Sequence, residues 1–356
     1  MDRDIEKHIN NYITYKPPKM QAILFLLILI ISQQLDAQDI HYSQYYNSDL
    51  NLNPALTAYT QASYRFSLNN RNQWSSVSIP FKSLSASMEA KAFHFQHNRS
   101  YLGLGILFNK DEAGDSKYGT TQLAISSSWI KSLNRKNSSL LSVGLQAAFY
   151  QRSIDYTKLY FPEQWNGTSS NINYGNSENF KVNQFNFFDV SMGIHWFWAP
   201  NNKLKFNTGF SAWHLNRPNQ SLMEDKNALL YIKYQSYCNI RIKTTHVFDL
   251  LPSIFISKQG PYYEIIAGIR FYNKIHQQRK RYFALSTGLY LRSNDALILF
   301  LGMDYKTIKI GATYDINISS LSVASHYMGG MELSLQWQLF KGNHPKKITP
   351  TPCPIF

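Results

Sequence analysis

The chain has 356 residues, 44% of them hydrophobic and 15% aromatic, and a mean hydropathy of -0.33 makes it too polar for a bundle of membrane-spanning helices. Its 36 Lys and Arg against 22 Asp and Glu give a formal net charge of +14, which narrows its macromolecular partners to nucleic acid, anionic lipid head groups, cell-wall polymers or an acidic protein. Two cysteines far apart in sequence, Cys238 and Cys353, exclude a disulfide framework as the main source of stability.

The first element is residues 22–31, the chain's one continuous apolar run. It is well short of the about 20 residues that a spanning helix needs. With Lys19 before it and small Ala37 after it, residues 1–37 read as a secretory signal peptide cut before Gln38, with Met20 as the expected start. Export takes nucleic acid out of reach and leaves lipid, cell wall or protein as partners. Residues 38–60 follow as a separate N-terminal segment on the periplasmic side. Within it, Asn53-Pro54-Ala55 is either a turn, since proline fixes its own dihedral and restrains Asn53 to an extended conformation, or part of a plug folded into a lumen.

From about residue 61 to 340 apolar and polar residues alternate in short segments. Strands are predicted to begin near Gln61, Ser83, Ser100, Thr120, Ser139, Phe187, Lys203, Leu229, His246, Pro261, Arg281, Ala296, Thr307 and Gly329, about fourteen in all. The last is the clearest, with Met331, Leu333, Leu335, Trp337 and Leu339 on one face and Glu332, Ser334, Gln336 and Gln338 on the other. The second sets Leu84, Ala86, Met88 and Ala90 against Ser85, Ser87, Glu89 and Lys91. The eighth sets Ile232, Tyr234, Cys238 and Ile240 against Lys233, Gln235, Asn239 and Arg241. One face meets oil and the other water, so the predicted fold is all-β: an outer-membrane antiparallel β-barrel of about 14 strands with a short N-terminal periplasmic segment or plug. Glu332, Gln336, Arg241 and Lys233 are assigned to its polar lumen, where Glu332 would pair with Arg241 or Lys233. Residues 297–303 and 265–269 are apolar on both faces and are expected to line a packed part of that lumen.

The gaps give the orientation. Those after strands one, three, five, seven and thirteen are predicted to be long and those after two, four, six, eight and twelve short, which puts both chain ends in the periplasm. The basic run Lys274, His276, Arg279, Lys280 and Arg281 is predicted to be an unusually long periplasmic turn, and residues 341–356 a periplasmic tail opening on Lys341, Lys346 and Lys347.

Chemistry is sparse. Asp111, Glu112 and Asp115 at a predicted hairpin tip read better as solvated carboxylates than as a calcium site, and His94 and His97 are poorly spaced for a metal on a strand. Gly103-Leu104-Gly105 lacks the third glycine and helix of a nucleotide fingerprint and fits glycines that let a barrel wall bend. No nucleophile elbow, paired cysteine motif or histidine metal motif occurs. The expectation is a protein that is not an enzyme and uses no cofactor or metal.

Motifs spread over the whole mature chain carry a resemblance. Gln38-Asp39-Ile40-His41-Tyr42-Ser43-Gln44-Tyr45, Asn53-Pro54-Ala55-Leu56-Thr57, Arg71-Asn72-Gln73-Trp74, Asp111-Glu112-Ala113-Gly114-Asp115, His214-Leu215-Asn216-Arg217-Pro218, Leu251-Pro252-Ser253, Asn294-Asp295-Ala296, Tyr314-Asp315-Ile316-Asn317, Gly329-Gly330-Met331-Glu332 and the tail Pro352-Cys353-Pro354-Ile355-Phe356 occur in this order. Together they resemble the PorP/SprF membrane proteins of the type IX secretion and gliding system of Bacteroidetes. The departure is Ile355, where the resemblance leads one to expect Arg. The resemblance implies an outer-membrane barrel that partners the C-terminal domain of a secreted adhesin, or a periplasmic secretion-ring protein or lipoprotein. His41, Tyr42, Gln44, Asn53, Pro54, Lys274, Arg279, Lys280, Pro352, Cys353 and Pro354 are then the partner-binding candidates. A FadL-like or porin-like channel for small or hydrophobic solutes is the competing function, resting on strand number and the possible plug.

Overall fold

A strand whose second face carries Glu, Lys and Arg cannot turn that face to lipid, and a long sheet leaves two unpaired edges; closure into a tube solves both problems. The computed structural model describes residues 39–341, apart from 75–78, 96–98, 160, 166–167, 170–181, 223–224, 226, 279–280 and 321. The predicted signal peptide and nearly all of the predicted tail lie outside the described residues.

The strands are β1 (Tyr64–Gln73), β2 (Phe81–Phe95), β3 (Ser100–Ala113), β4 (Tyr118–Ser132), β5 (Ser139–Ser153), β6 (Gln184–Trp198), β7 (Leu204–Trp213), β8 (Lys233–Lys243), β9 (Phe248–Gln259), β10 (Tyr262–Gln278), β11 (Arg281–Arg292), β12 (Ala296–Tyr305), β13 (Ile308–Asn317) and β14 (Met328–Leu339). Each pairs antiparallel with the next, and β14 closes on β1 in a register from Tyr64 opposite Leu339 to Gln73 opposite Gly330. The result is a closed antiparallel barrel of 14 strands.

Its polarity is that of a membrane barrel. On β14, Met331, Leu333, Leu335 and Trp337 are exposed while Glu332, Ser334, Gln336 and Gln338 are buried inside, the reverse of a soluble fold. On β2, Ser85 and Glu89 likewise face in. Trp129, Trp196, Trp198, Tyr305 and Trp337 point outward within a few residues of one end of their strands. They form an aromatic girdle there, with the Trp196 and Trp198 rings stacked 5.8 Å apart.

That girdled end carries only short connections, at residues 96–99, 133–138, 199–203, 244–247, 279–280 and 306–307, and it is where β1 begins and β14 ends. The three longest, residues 154–183, 214–232 and 318–327, all leave the opposite end.

Three expectations change. β3 continues through Ala113, so Asp111 and Glu112 belong to the strand and not to a hairpin tip; Ser83 Oγ donates to Asp111 at 2.5 Å and Lys110 pairs with Glu112 at 2.8 Å. The gap after β3 is therefore only residues 114–117. The basic run from Lys274 is mostly sheet, with β10 reaching Gln278 and β11 starting at Arg281, so no long turn exists; Arg279 and Lys280 lie outside the described residues. β8 starts at Lys233, because Leu230 is drawn inward into a cluster with Leu50, Leu107 and Phe187.

Candidate functional site

The interior is occupied by the chain's own N-terminal segment. From Tyr42 to Ala62 nearly every residue is buried, and the segment folds as a turn at Tyr45–Asn47, one helical turn at Asp49–Leu52 and a second tight turn at Pro54–Leu56. Asn53 sets the last of these. It takes the extended conformation that a following proline imposes, and its Oδ1 caps the turn by accepting from Ala55 N at 2.8 Å. Its Nδ2 donates outward to the carbonyls of Ile194 at 2.9 Å and Phe210 at 3.2 Å on the wall. Of the two readings of Asn53-Pro54-Ala55, turn and plug, the structure combines both.

Close approach of this segment needs wall positions without side chains. A Cβ on Gly144 would collide with the Pro54 backbone, and one on Gly103 would lie 2.5 Å from Thr57 O and 2.7 Å from Ala58 Cβ. Gly103 thus makes room for the plug, where the sequence suggested a bend in the wall.

Two buried charge clusters fasten the plug. In the first, Arg65 on β1 places Nε and Nη2 on Glu89 of β2 at 3.0 and 2.7 Å and Nη1 on Asp49 of the plug at 2.5 Å, while Glu89 also accepts from Ala58 N at 2.7 Å. Burial pushes the Asp49 carboxyl up to about 6, against the downward pull of Arg65. The second gathers Arg71, Arg292, Asp315 and Glu332 around the start of the segment. Ser43 N donates to Glu332 Oε2 at 2.7 Å, Ser43 Oγ donates to Asp315 at 2.7 Å, and Arg71 donates to the His41 carbonyl at 3.2 Å. Arg71 and Arg292 both reach Asp315 at 3.1 Å.

Between the clusters the plug also packs aromatic rings on the wall. Tyr45 stacks on Phe255 at 4.7 Å, and Tyr46 stacks on Tyr290 at 5.6 Å and meets Phe300 edge-on at 5.7 Å. Ile266, Ile298 and Phe300, from the strands predicted apolar on both faces, join this cluster. Their inward side chains are apolar because the plug, and not water, faces them.

The sequence candidates divide accordingly. Tyr42, Gln44, Asn53 and Pro54 are buried, and His41 is partly so. Gln44 Nε2 donates to Glu332 O at 3.0 Å and its Oε1 accepts from Ser334 at 2.7 Å. The structure gives these residues internal partners in place of an external one, because their polar groups complete the wall's inward hydrogen bonds. Lys274 is likewise turned to Asp249, at 2.7 Å, instead of standing free in a turn. Glu332, Gln336, Arg241 and Lys233 are all buried inside the barrel. The pairing differs from expectation: Glu332 faces Arg71 at 3.9 Å, Arg241 pairs with Asp249, and Lys233 lies over the Trp213 ring at 5.6 Å. Gln336 Nε2 donates to Asn47 O at 3.2 Å. Pro352, Cys353 and Pro354 lie outside the described residues.

Sequence reasoning missed Arg65, Asp49, Arg71, Arg292 and Asp315. The signal was present: Arg65 and Arg71 fall on the same phase of β1 as Ser67 and Asn69, and full charges on the inward phase of a membrane strand require partners inside.

The profile of a family described as type IX secretion system membrane protein PorP/SprF matches residues 34–336. No curated protein matches the chain. Among solved structures it is similar to the Ralstonia pickettii toluene transporter TbuX, at 8% identity and a TM-score of 0.49 over 82% of this chain and 94% of that one. It is also similar to a Pseudomonas aeruginosa FadL homologue, at 9% identity and a TM-score of 0.43 over 80% of this chain and 92% of that one.

Proposed function

The chain belongs to the type IX secretion system membrane protein PorP/SprF family, and from that premise we propose that it works by binding, neither conducting solutes nor catalysing a reaction. It is a membrane component of that secretion system. In the proposed arrangement it sits in the outer membrane with the girdled, short-turn end toward the periplasm and the long connections outside. The outer connections, residues 154–183 and 214–232, meet the C-terminal domain of a secreted adhesin. The short-turn end, with Arg279, Lys280 and the tail around Pro352, Cys353 and Pro354, meets a periplasmic secretion-ring protein or lipoprotein, in secretion or in gliding.

The observation that carries this reading is the plug. A channel has to keep or open a path, whereas here the N-terminal segment is tied to the wall by buried guanidinium–carboxylate clusters and stacked tyrosines. Removing one partner of a buried ion pair costs about 3 to 5 kcal/mol, and displacing the plug would break the Arg65–Asp49 pair together with the bonds from Ala58 N to Glu89 and from Ser43 N to Glu332. A rigid, filled barrel is suited to presenting its two ends. The reading is tested by deleting the C-terminal domain of a secreted adhesin, or this chain, and measuring adhesin retention at the surface. Retention that is independent of this chain would refute the binding role.

A further inference from the structure

The plug runs from one end of the barrel to the other, and the groups that hold it fix its direction. Its last residues lie at the short-turn end. Ser128, near that end of β4, donates to Thr57 O at 2.6 Å, and Ser63, just before β1, donates its N–H to Leu339 O at 2.8 Å. Gln61, between them, is the one exposed residue from Tyr42 to Ala62. The first residues lie at the opposite end. Arg292 is the last residue of β11, and Arg71 and Asp315 stand close to the ends of β1 and β13 from which the connections 74–80 and 318–327 leave. Arg292 Nη2 donates to Ser43 Oγ at 2.5 Å, beside the bond from Arg71 to the His41 carbonyl, and Ile40 and His41 are partly exposed.

A segment that starts at one mouth and ends at the other has crossed the lumen. Its length allows this: about 20 residues reach roughly 66 Å when extended, against an apolar band about 25 Å tall, which leaves chain to spare for the turns it contains. The sequence places residues 38–60 on the side where β1 begins, because a stretch without periodicity carries no mark of a crossing. The fastening at its start also joins the first strand to the last two, since Arg71 is on β1, Asp315 on β13 and Glu332 on β14. It is complete only once β14 has closed on β1.

We propose that the plug is threaded from the long-connection end, so that its first residues, Ile40 and His41, belong to the surface of that end, while the start of β1 and the end of β14 lie at the other. The plug is then the one element of the lumen presented on both faces. A protein seated over the long-connection mouth meets Ile40 and His41 beside the connections, and one at the short-turn end meets the same segment at Gln61. Only the identity of those proteins, an adhesin domain and a periplasmic partner, rests on the function proposed above.

The test is cysteine labelling of the full chain on intact cells with a membrane-impermeant maleimide, in a background of Cys238→Ser and Cys353→Ser. Single cysteines are introduced by Ile40→Cys, by Thr157→Cys in the connection 154–183 and by Asn201→Cys in the connection 199–203, the last two at exposed positions on opposite ends. Folding is checked by the mobility difference between unheated and boiled samples, and His41→Cys gives the same reading if Ile40→Cys does not fold. The expected result is that Ile40→Cys labels as Thr157→Cys does, at least tenfold faster than Asn201→Cys on intact cells, with all three alike after lysis. Labelling of Ile40→Cys and His41→Cys that follows Asn201→Cys, or that appears only when the protein is unfolded, would overturn the proposal. The criterion is which reference position the plug's start matches, so the outcome does not depend on which end faces outward or on whether an adhesin is retained. Reversed labelling of the two reference positions, with Ile40→Cys still matching Thr157→Cys, would support the threading while contradicting the orientation proposed above.

Discussion

Replacing Arg65 with Gln should release the plug while leaving the wall closed. Arg65, Asp49 and Glu89 have side-chain exposures of 4%, 2% and 0%, and the arginine is the ion-pair partner of both carboxylates. Removing it strands two buried charges, at a cost of about 3 to 5 kcal/mol. It also loses the bond to Leu56 O at 3.3 Å, a further contribution of about 1 kcal/mol. The wall loses only the side-chain link from Arg65 to Glu89, because β1 keeps its backbone register to both β2 and β14. The energy therefore falls on plug opening, and at about 1.4 kcal/mol per tenfold the opening equilibrium should rise by roughly two to four powers of ten. Hydrogen exchange reads this directly: the amide of Ala58, bonded to Glu89, and its neighbours in the plug should exchange faster by that factor, with the amides of β4 and β5 unchanged. Lysine at the same position, which keeps the charge but not the fork, should fall between. Unchanged exchange in the plug, or equal loosening of plug and wall, would refute the assignment of this cluster as the plug's fastening.

Leu335→Arg, on the lipid face, should cost about 2 to 4 kcal/mol in an unfolding titration, whereas Gln336→Arg inside loses mainly its bond to Asn47, about 1 kcal/mol; equal costs would reverse the facing of β14. Gly144→Val should destabilise the plug by about 1 to 3 kcal/mol through collision with the rigid backbone of Pro54, visible as protease sensitivity of residues 42–62. For Asp49, whose folded value of about 6 lies above its ordinary 3.8, ionisation is disfavoured in the fold: its contribution to stability is greatest below the unfolded value and declines as pH rises toward 6. Asp49→Asn should therefore flatten the pH dependence of plug exchange between pH 4 and 7 and cost less at pH 7 than Glu89→Gln, which loses a two-point arginine contact; the reverse order would contradict this. Deleting residues 349–356 should leave the amount of barrel in the membrane unchanged while reducing copurification of a periplasmic partner, as measured by pull-down.

The wall was legible because its signal is local. Leu335 and Gln336 differ in facing simply because they are neighbours on a strand, and the start of a strand such as Ser100, Ser139 or Ala296 is marked by turn residues just before it. Errors arose where polar residues near a strand end looked like loop: Asp111, Glu112 and the run from Lys274 continue the sheet above or below the apolar band, where charge on a strand is no penalty. The site was far less legible. Ser43 lies 289 residues from Glu332, and Asp49 meets Arg65 only because β1 turns back along the plug. Period-two patterning says that Arg65, Arg270 and Glu332 face inward, but which of them meet is decided by barrel closure and by the path of a segment with no periodicity of its own.

The central claim is that this barrel is filled and works by holding a partner. Native mass measurement of the barrel extracted from its own membrane in mild detergent tests it most directly. The account predicts a complex with a second protein at a fixed ratio; recovery of the barrel alone, at its own mass, from membranes in which the secretion system is active would contradict it.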